Sequence, residues 1–316
     1  MAAEVTVTSS DVGLVSQGGA RRRPRAPWLR SPKVVAGLGV AGFFILMGVF
    51  GPLIVPADPS ATSAAVLQPP SLEHLLGTTA TGEDVLSQVL AGARLSLVVG
   101  FTAAVVGEAI AILVGITAGY LGGLADEVLS LVTNVFLVIP VLPLQILIVT
   151  YLGDGGWLLL ALVIALTTWS HGARRLRAQT LSIRQRDYVQ AARAAGEPTW
   201  RTVGFEILPN VSAIVITSFV FHVTSAIVVQ TGLAFLGLGN VSDWSWGSVL
   251  YWSDNSNAFL LGAWWWFVPP GLCLAFLGSG LALINLGIDE VINPRLRTGL
   301  KAARLFGRAR AVGNEH

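Results

Sequence analysis

Residues 187–210 read DYVQAARAAGEPTWRTVGFEILPN, a polar and strongly patterned stretch lodged between two long apolar runs. Its first half, Asp187 to Ala195, is rich in Ala, Arg and Gln, which lose little entropy on becoming helical, and it opens on an acid suited to a helix N-terminus. That helix is expected to stop at Gly196, because glycine takes the left-handed C′ conformation without steric cost and Pro198 cannot continue the hydrogen-bond ladder. The fixed φ of proline suits a first helical turn, so Glu197-Pro198 is expected to start a second helix. Trp200, Val203 and Ile207, three and four apart, would form its apolar face until Leu208-Pro209 leads into the next hydrophobic run. The stretch predicts a short helix-turn-helix at a membrane surface, presenting the small side chains of Ala191, Ala192, Ala194, Ala195 and Gly196. Small side chains let another surface approach the backbone closely, which gives the segment the form of a docking knob. An amphipathic connector lying among lipid headgroups has the same composition, and the flanking arginines suit either role.

The rest of the chain says which membrane protein this knob belongs to. Of 316 residues 53% are hydrophobic and 12% charged, and the mean hydropathy is +0.68, which describes an all-α polytopic membrane protein and not a soluble domain. Six apolar runs are long enough to be spans: Val34 to Val55, Leu95 to Gly119, Val128 to Leu152, Trp157 to about Ala173, about Val211 to Gly232, and Trp264 to about Ile288. Val34 to Val55 carries no charge and can cross about 30 Å of hydrocarbon at roughly 1.5 Å per residue. It is longer than a signal-peptide core and reads as an uncleaved anchor. Pro140 and Pro143 should bend the third span. The indoles of Trp264, Trp265 and Trp266 suit a headgroup boundary. Residues 1–33, ending in RRRPRAPWLRSPK, are too charged and proline-interrupted to fold alone and read as a disordered tail, with a second basic tail at 289–316. Residues 56–94 read as a polar loop carrying Asp58, Glu73, Glu83 and Asp84, and a further loop holds Asp243, Trp244, Trp246 and Asp254.

Basic residues orient this topology. With both termini on one side, that side holds six Lys or Arg before the first span, seven between the fourth and fifth, and six in the tail; Arg94 alone falls on the other face. The positive-inside rule then places both termini and the central stretch in the cytoplasm and the 56–94 loop outside. A pI near 9.0 follows from this distribution, so no nucleic-acid partner is needed to explain it, and the basic side faces anionic lipid.

Several chemistries are without support. Cys273 is the single cysteine, and His74, His171, His222 and His316 are scattered with no metal-ligand spacing, so each histidine reads as an ordinary side chain and no metal or cofactor is expected. Neither lysine, Lys33 or Lys301, follows a glycine, so there is no Walker A loop and any ATP chemistry belongs to another chain. No nucleophile–base pair or metal motif lies in the spans, so a membrane-embedded hydrolase has no supporting motif. Glu108 is the carboxylate well inside a predicted span. An acid there costs about 2.5–3.5 kcal/mol on insertion scales, so it should face the bundle or a water-filled path, in a pore role or in interhelical bonding. An ion-coupled secondary transporter would need more such groups along its path.

QAARAAG at 190–196, followed after ten residues by ILP at 207–209, resembles the EAA loop of binding-protein-dependent ABC importer permeases, with Gln190 where the pattern has Glu. HLLGTTATGEDVLSQVLAGARLSLVVG at 74–100 resembles the corresponding run of the second, C-type permease subunit of dipeptide, oligopeptide and nickel importers, with Leu75, Thr79 and Glu83 replacing Pro, Asp and Arg. AGYLGGLADEVLS at 118–130, LAFLGLG at 233–239, SWGSVL at 245–250, WWWFVPPG at 264–271 and NPRLR at 293–297 are similar to the same class in the same order. The resemblance implies a type I importer permease fold, one N-terminal span plus a five-helix core from 95 to 288. It implies a bacterial cell membrane, a homologous second permease, ATP-binding cassette ATPase subunits and an extracytoplasmic binding protein. It also implies that Gln190, Ala191, Ala192, Gly196, Glu197, Ile207, Leu208 and Pro209 couple this chain to the ATPase. Di- or oligopeptides are the expected cargo, with oligosaccharides or nickel chelates as alternatives, and the chain itself is not an enzyme.

Overall fold

The computed structural model describes residues 31–54, 58–153 and 155–292, and among them the regular elements are helices; the one β contact is an isolated bridge between Thr78 and Asp84. Helices α1 (Pro32–Ile54), α2 (Val85–Leu121) and α11 (Trp264–Ile292) are each long and apolar enough to cross a membrane. So is a continuous rod made of α8 (Thr199–Arg201), a π-helical segment (Thr202–Ile207) and α9 (Leu208–Phe235). Two further crossings are bent pairs: α3 (Gly123–Val138) with α4 (Val141–Leu152) at 88°, and α5 (Gly156–Thr168) with α6 (Ser170–Ile183) at 42°. With each bent pair taken as one broken span the total is six, the number that the apolar runs predict. The short helices α7 (Asp187–Ala194) and α10 (Trp246–Asn255) lie between them.

The boundaries depart from the hydropathy reading wherever a polar side chain does the work of starting a helix. Residues 85–94 belong to α2 and not to the expected 56–94 loop, because Asp84 caps the helix there. Its Oδ2 accepts from the Ser87 N–H and hydroxyl, both at 2.8 Å, and its Oδ1 lies 3.0 Å from His74 Nδ1. Trp246 lies on α10 and not in a loop. Ser245 and Ser248 form a reciprocal capping box that starts α10, and the fully buried indole donates to the Val89 carbonyl at 3.1 Å. Pro32 and Lys33 are already helical, and α11 runs to Ile292, past the expected end near Ile288; Lys33 pairs with Glu290 across α1 and α11. The remaining tails, Val55 and Asp154 lie outside the described residues.

Proline explains the sharp bend. Pro140 cannot donate, and Ile139 before it is extended (φ −69°, ψ 128°), as a residue preceding proline prefers. Pro143 falls in the first turn of α4, where a missing N–H is no loss, so of the two prolines only Pro140 breaks the span. The fourth span does not end at Ala173: after a kink at Trp169 it continues as α6, so Arg174, Arg175 and Arg177 are helical. Of the three expected interfacial indoles only Trp264 is exposed; Trp266 is buried and Trp265 donates to the Thr78 carbonyl at 3.2 Å.

The central seam joins α2 to α6 through small residues. Gly107, Ala111, Gly115 and Gly119 recur every four positions, and this stripe admits the α6 backbone so closely that a Cβ at Gly115 would stand 2.5 Å from the Ala173 carbonyl oxygen and 2.9 Å from Leu176 Cβ. Gly115→Leu is therefore expected to lower stability by at least about 1–3 kcal/mol, the usual cost of overpacking. Thermal unfolding in detergent monitored by gel filtration checks this, with Gly39→Leu, where nothing lies within 4 Å, as the unaffected control.

Contacts sort the loops to two ends of the bundle. One end gathers the Lys33–Glu290 pair, a bidentate pair of Arg177 with Asp126 (2.5 and 2.7 Å) and α7. The other gathers residues 58–84 against Trp244 and Trp265.

Candidate coupling surface and intramembrane polar pair

Helix α7 ends as its sequence predicts. Gly196 has φ +78°, its N–H donates to the Arg193 carbonyl at 3.0 Å, and the Glu197 N–H reaches back to the Ala192 carbonyl at 3.1 Å, a Schellman closure. The chain restarts one residue later than expected: Pro198 is extended (ψ 148°) and stands as N-cap, and Thr199 is the first helical residue. The π-helical turns lie immediately before Pro209, whose ring in an α-helix would strike the carbonyl four residues back. Pro209 thus sits in the first turn of α9, and the rod from Thr199 to Phe235 stays unbroken.

The eight residues singled out from the loop fall into two groups. Gln190, Ala191 and Gly196 are exposed and Ala192 and Glu197 half-buried, together forming the outer rim of the knob. Ile207 is fully buried and Leu208 partly so, while Pro209 is exposed. The expected apolar stripe is split in the same way: Ile207 packs inward, whereas Trp200 is 70% exposed and projects from the knob.

Burial fastens the knob to the bundle. Val189 and Ile207, both at 0% exposure, join one cluster with Ile116 and Tyr120 of α2 and Leu176 of α6. Polar contacts reinforce it: the Arg193 guanidinium stacks 4.9 Å from the Tyr120 ring centre, Arg184 Nη1 donates to the Gly119 carbonyl at 3.0 Å, and Gln190 Nε2 donates to the Arg184 carbonyl at 3.0 Å. A displacement of α7 is therefore transmitted to α2 and α6 through close-packed atoms with no compliant linker.

Deeper in the bundle, Glu108 faces inward at 4% exposure, and its partner is His222 of α9, at 3%. Nδ1 and Oε2 lie 2.8 Å apart, although neither carboxylate oxygen nor ring nitrogen is in hydrogen-bonding alignment. Gly172 of α6 closes over them: a Cβ there would stand 2.9 Å from both His222 Cε1 and Ala111 Cβ. One turn along α9, Ser218 accepts from Arg175 Nη2 of α6 at 3.1 Å. The pair thus sits where α2, α6 and α9 meet. Reading His222 as an ordinary histidine misses this; the signal was depth, since Glu108 and His222 each lie about 20 Å along their helices from the ends at Leu121 and Leu208. No group of three metal-ligating side chains is found among the described residues.

Residues 111–298 match the model of the family described as binding-protein-dependent transport system inner membrane component. The chain belongs to this family. As an inner membrane component it is a multi-pass bacterial membrane protein and a transport subunit, and the ATPase of such importers is a separate chain. It is 32% identical over 276 residues to the dipeptide transport system permease protein of Bacillus subtilis, covering 85% of each chain. It is 31% identical over 267 residues to the probable D,D-dipeptide transport system permease protein of Escherichia coli, covering 84% of this chain and 88% of that one. The oligopeptide transport system permease protein of Mycobacterium tuberculosis strain H37Rv is 32% identical over 281 residues, 88% of this chain and 95% of the other.

Proposed function

We propose that this chain is the C-type permease subunit of an ATP-driven importer, forming half of a translocation path for di- or oligopeptides handed over by an extracytoplasmic binding protein. Its partners in this reading are a homologous permease and ATP-binding cassette ATPase subunits. Both termini and the α7 knob face the cytoplasm, a reading supported by the basic residues that the sequence sets on that side: six before the first apolar run, Arg184, Arg186, Arg193 and Arg201 between α6 and α9, and six in the tail, against Arg94 alone on the other face. The peptide cargo is supported by relatives named for dipeptides and oligopeptides.

One observation carries the coupling role: a small-residue surface, exposed at its rim, is fastened by buried Val189 and Ile207 to the inner ends of α2 and α6. Closure of an ATPase dimer against Gln190–Gly196 rocks those helices as a body and exchanges inward-open for outward-open states. Ile207 and Leu208 serve as its root, and Pro209 shapes the joint. Glu108 and His222 hold α2 to α9, so that the bundle moves as one unit. The test is uptake of labelled peptide into proteoliposomes holding the full complex, with ATP inside the equivalent compartment and loaded binding protein opposite. Uptake should require ATP and binding protein; uptake that persists with a hydrolysis-dead ATPase but follows a proton gradient contradicts the reading.

Gln190 gives a finer prediction. Its amide donates to the Arg184 carbonyl, which a carboxylate cannot do, so Gln190→Glu loses a net of about 0.5–1.5 kcal/mol locally. The expected outcome is faster proteolysis between α6 and α7, by about two- to thirteenfold, the range that this loss of about 0.5–1.5 kcal/mol corresponds to, with transport retained.

A further inference from the structure

A cavity of about 20 Å³ lies between α2, the start of α5, the end of α9 and the loop from Leu238 to Ser245 that leads into α10. Its polar wall is Gln230 of α9 with Asn240 and Asp243 of the loop. Gln230 is 2% exposed, its Oε1 is fully buried, and its amide makes no hydrogen bond among the described residues. A buried polar group left in that state costs about 1–3 kcal/mol unless something in the cavity answers it. Asp243 is half-buried, and its carboxylate makes neither a hydrogen bond nor an ion pair among the described residues. Asn240 stands exposed at the mouth, where its Oδ1 accepts from the Ser242 N–H at 3.0 Å and keeps a second lone pair.

Charge and size narrow the occupant. No lysine, arginine or histidine lines the cavity; Arg94, next in sequence to Leu95 of its wall, lines a separate groove against α1. A carboxylate without a cationic side chain, beside an orphaned amide oxygen, calls for positive charge. One water molecule needs at least about 10–15 Å³, so about 20 Å³ takes a single water or a single bare ion. Oxygen ligands select hard cations. Magnesium keeps several of its waters, for which there is no room, whereas calcium accepts carboxylate, amide and main-chain oxygens in flexible geometry.

We propose that Gln230, Asn240 and Asp243 form a weak calcium site that pins the loop before α10 to the end of α9. With one carboxylate, its affinity falls in the range of extracellular modules, about 10⁻⁴–10⁻³ M. The loop belongs to the same end of the bundle as residues 58–84, since Trp244 Nε1 donates to Ser60 Oγ at 3.0 Å. In the proposed topology that end is extracytoplasmic, where sites of this affinity operate. Occupancy fixes the chain just ahead of Trp246, the indole that is buried and bonded to the Val89 carbonyl. The site does not depend on what the chain transports.

The experiment uses the full chain in detergent, freed of divalent ions by chelator and held at constant ionic strength with choline chloride. Equilibrium dialysis with radioactive calcium and thermal unfolding followed by gel filtration are the two measurements. Calcium should bind at one per chain with half-saturation between about 0.1 and 1 mM, and at about 10 mM should raise the unfolding midpoint by about 2–4 °C. Asp243→Asn should abolish both effects and Gln230→Leu should weaken binding by about fivefold or more. Asp254→Asn, at an exposed acid of α10 that does not line the cavity, should keep both. A wild-type chain that binds no calcium overturns the proposal and assigns the cavity to a water molecule. A midpoint that rises equally with magnesium or with choline alone overturns it as charge screening, and calcium binding that survives Asp243→Asn overturns it as an adventitious ion only. Dialysis of the wild-type chain decides the matter even where a variant fails to fold.

Discussion

Gly196→Trp leaves the chain inserted and assembled but reduces ATP-dependent uptake to the level of vesicles without ATP. Two effects combine at this position. Gly196 is held at φ +78°, where a side chain costs about 1–2 kcal/mol, so the Schellman closure that sets the angle between α7 and α8 is strained. The indole would also stand on the rim of the knob, because nothing lies within 4 Å of a Cβ at that position, and under the proposed coupling it enters the space that an ATPase surface takes. Gly196→Asn separates the two, since asparagine tolerates the left-handed region and is small; it should retain most transport. Acidic substitutions at Ala191 and Ala192 should uncouple in the same way as tryptophan, without disturbing Val189 or Ile207 beneath. Uptake and ATPase rates on gel-filtered complex are the measurements. A Gly196→Trp complex that assembles and imports at the wild-type rate would show that this surface is not where force enters.

The second large effect concerns the pair in the membrane. His222→Leu leaves the buried Glu108 carboxyl without its polar neighbour, and stranding a buried polar group typically costs about 1–3 kcal/mol, more where the group is charged. Glu108→Gln should be milder, because it keeps a side chain of the same size against His222 and Gly172 while removing the carboxylate that burial makes costly. Combining Glu108→Met with His222→Leu removes both polar groups and should recover most of the stability lost by His222→Leu alone. Unfolding midpoints of the three variants in detergent give the answer: additive losses in the double variant would mean that the two residues do not act as a pair. If the double variant is stable yet transports poorly, the pair also matters for the exchange between conformations.

These two sites differ in how openly the sequence shows them. The knob was legible because its rules are local: an acid at the start of α7, alanines within it, Gly196 in the left-handed region and Pro198 just after it all act within a few residues of themselves. The site at Glu108 was half legible. A carboxylate in an apolar run must have a partner, but His222 is distant in sequence and is found only by comparing depths in two helices. Hydropathy gave the six crossings but misplaced their ends, because α2 begins where Asp84 caps it and α10 where Ser245 does, not where apolar residues begin. The four-residue recurrence of Gly107, Ala111, Gly115 and Gly119 was present in the sequence as a packing signal, yet only the α6 backbone lying against it shows which helix it serves. Trp265 and Trp266 mislead a composition reading for a related reason: indoles suit the headgroup layer, but here Trp266 is buried in the core and Trp265 donates to the Thr78 carbonyl.

The most direct test of the account is purification of this chain from native membranes through an affinity tag, followed by an ATPase assay with and without peptide-loaded binding protein. The account predicts that a second permease and an ATP-binding cassette protein co-purify and that hydrolysis rises when the loaded binding protein is added. A chain that purifies alone, or a complex whose hydrolysis ignores the binding protein, would contradict it.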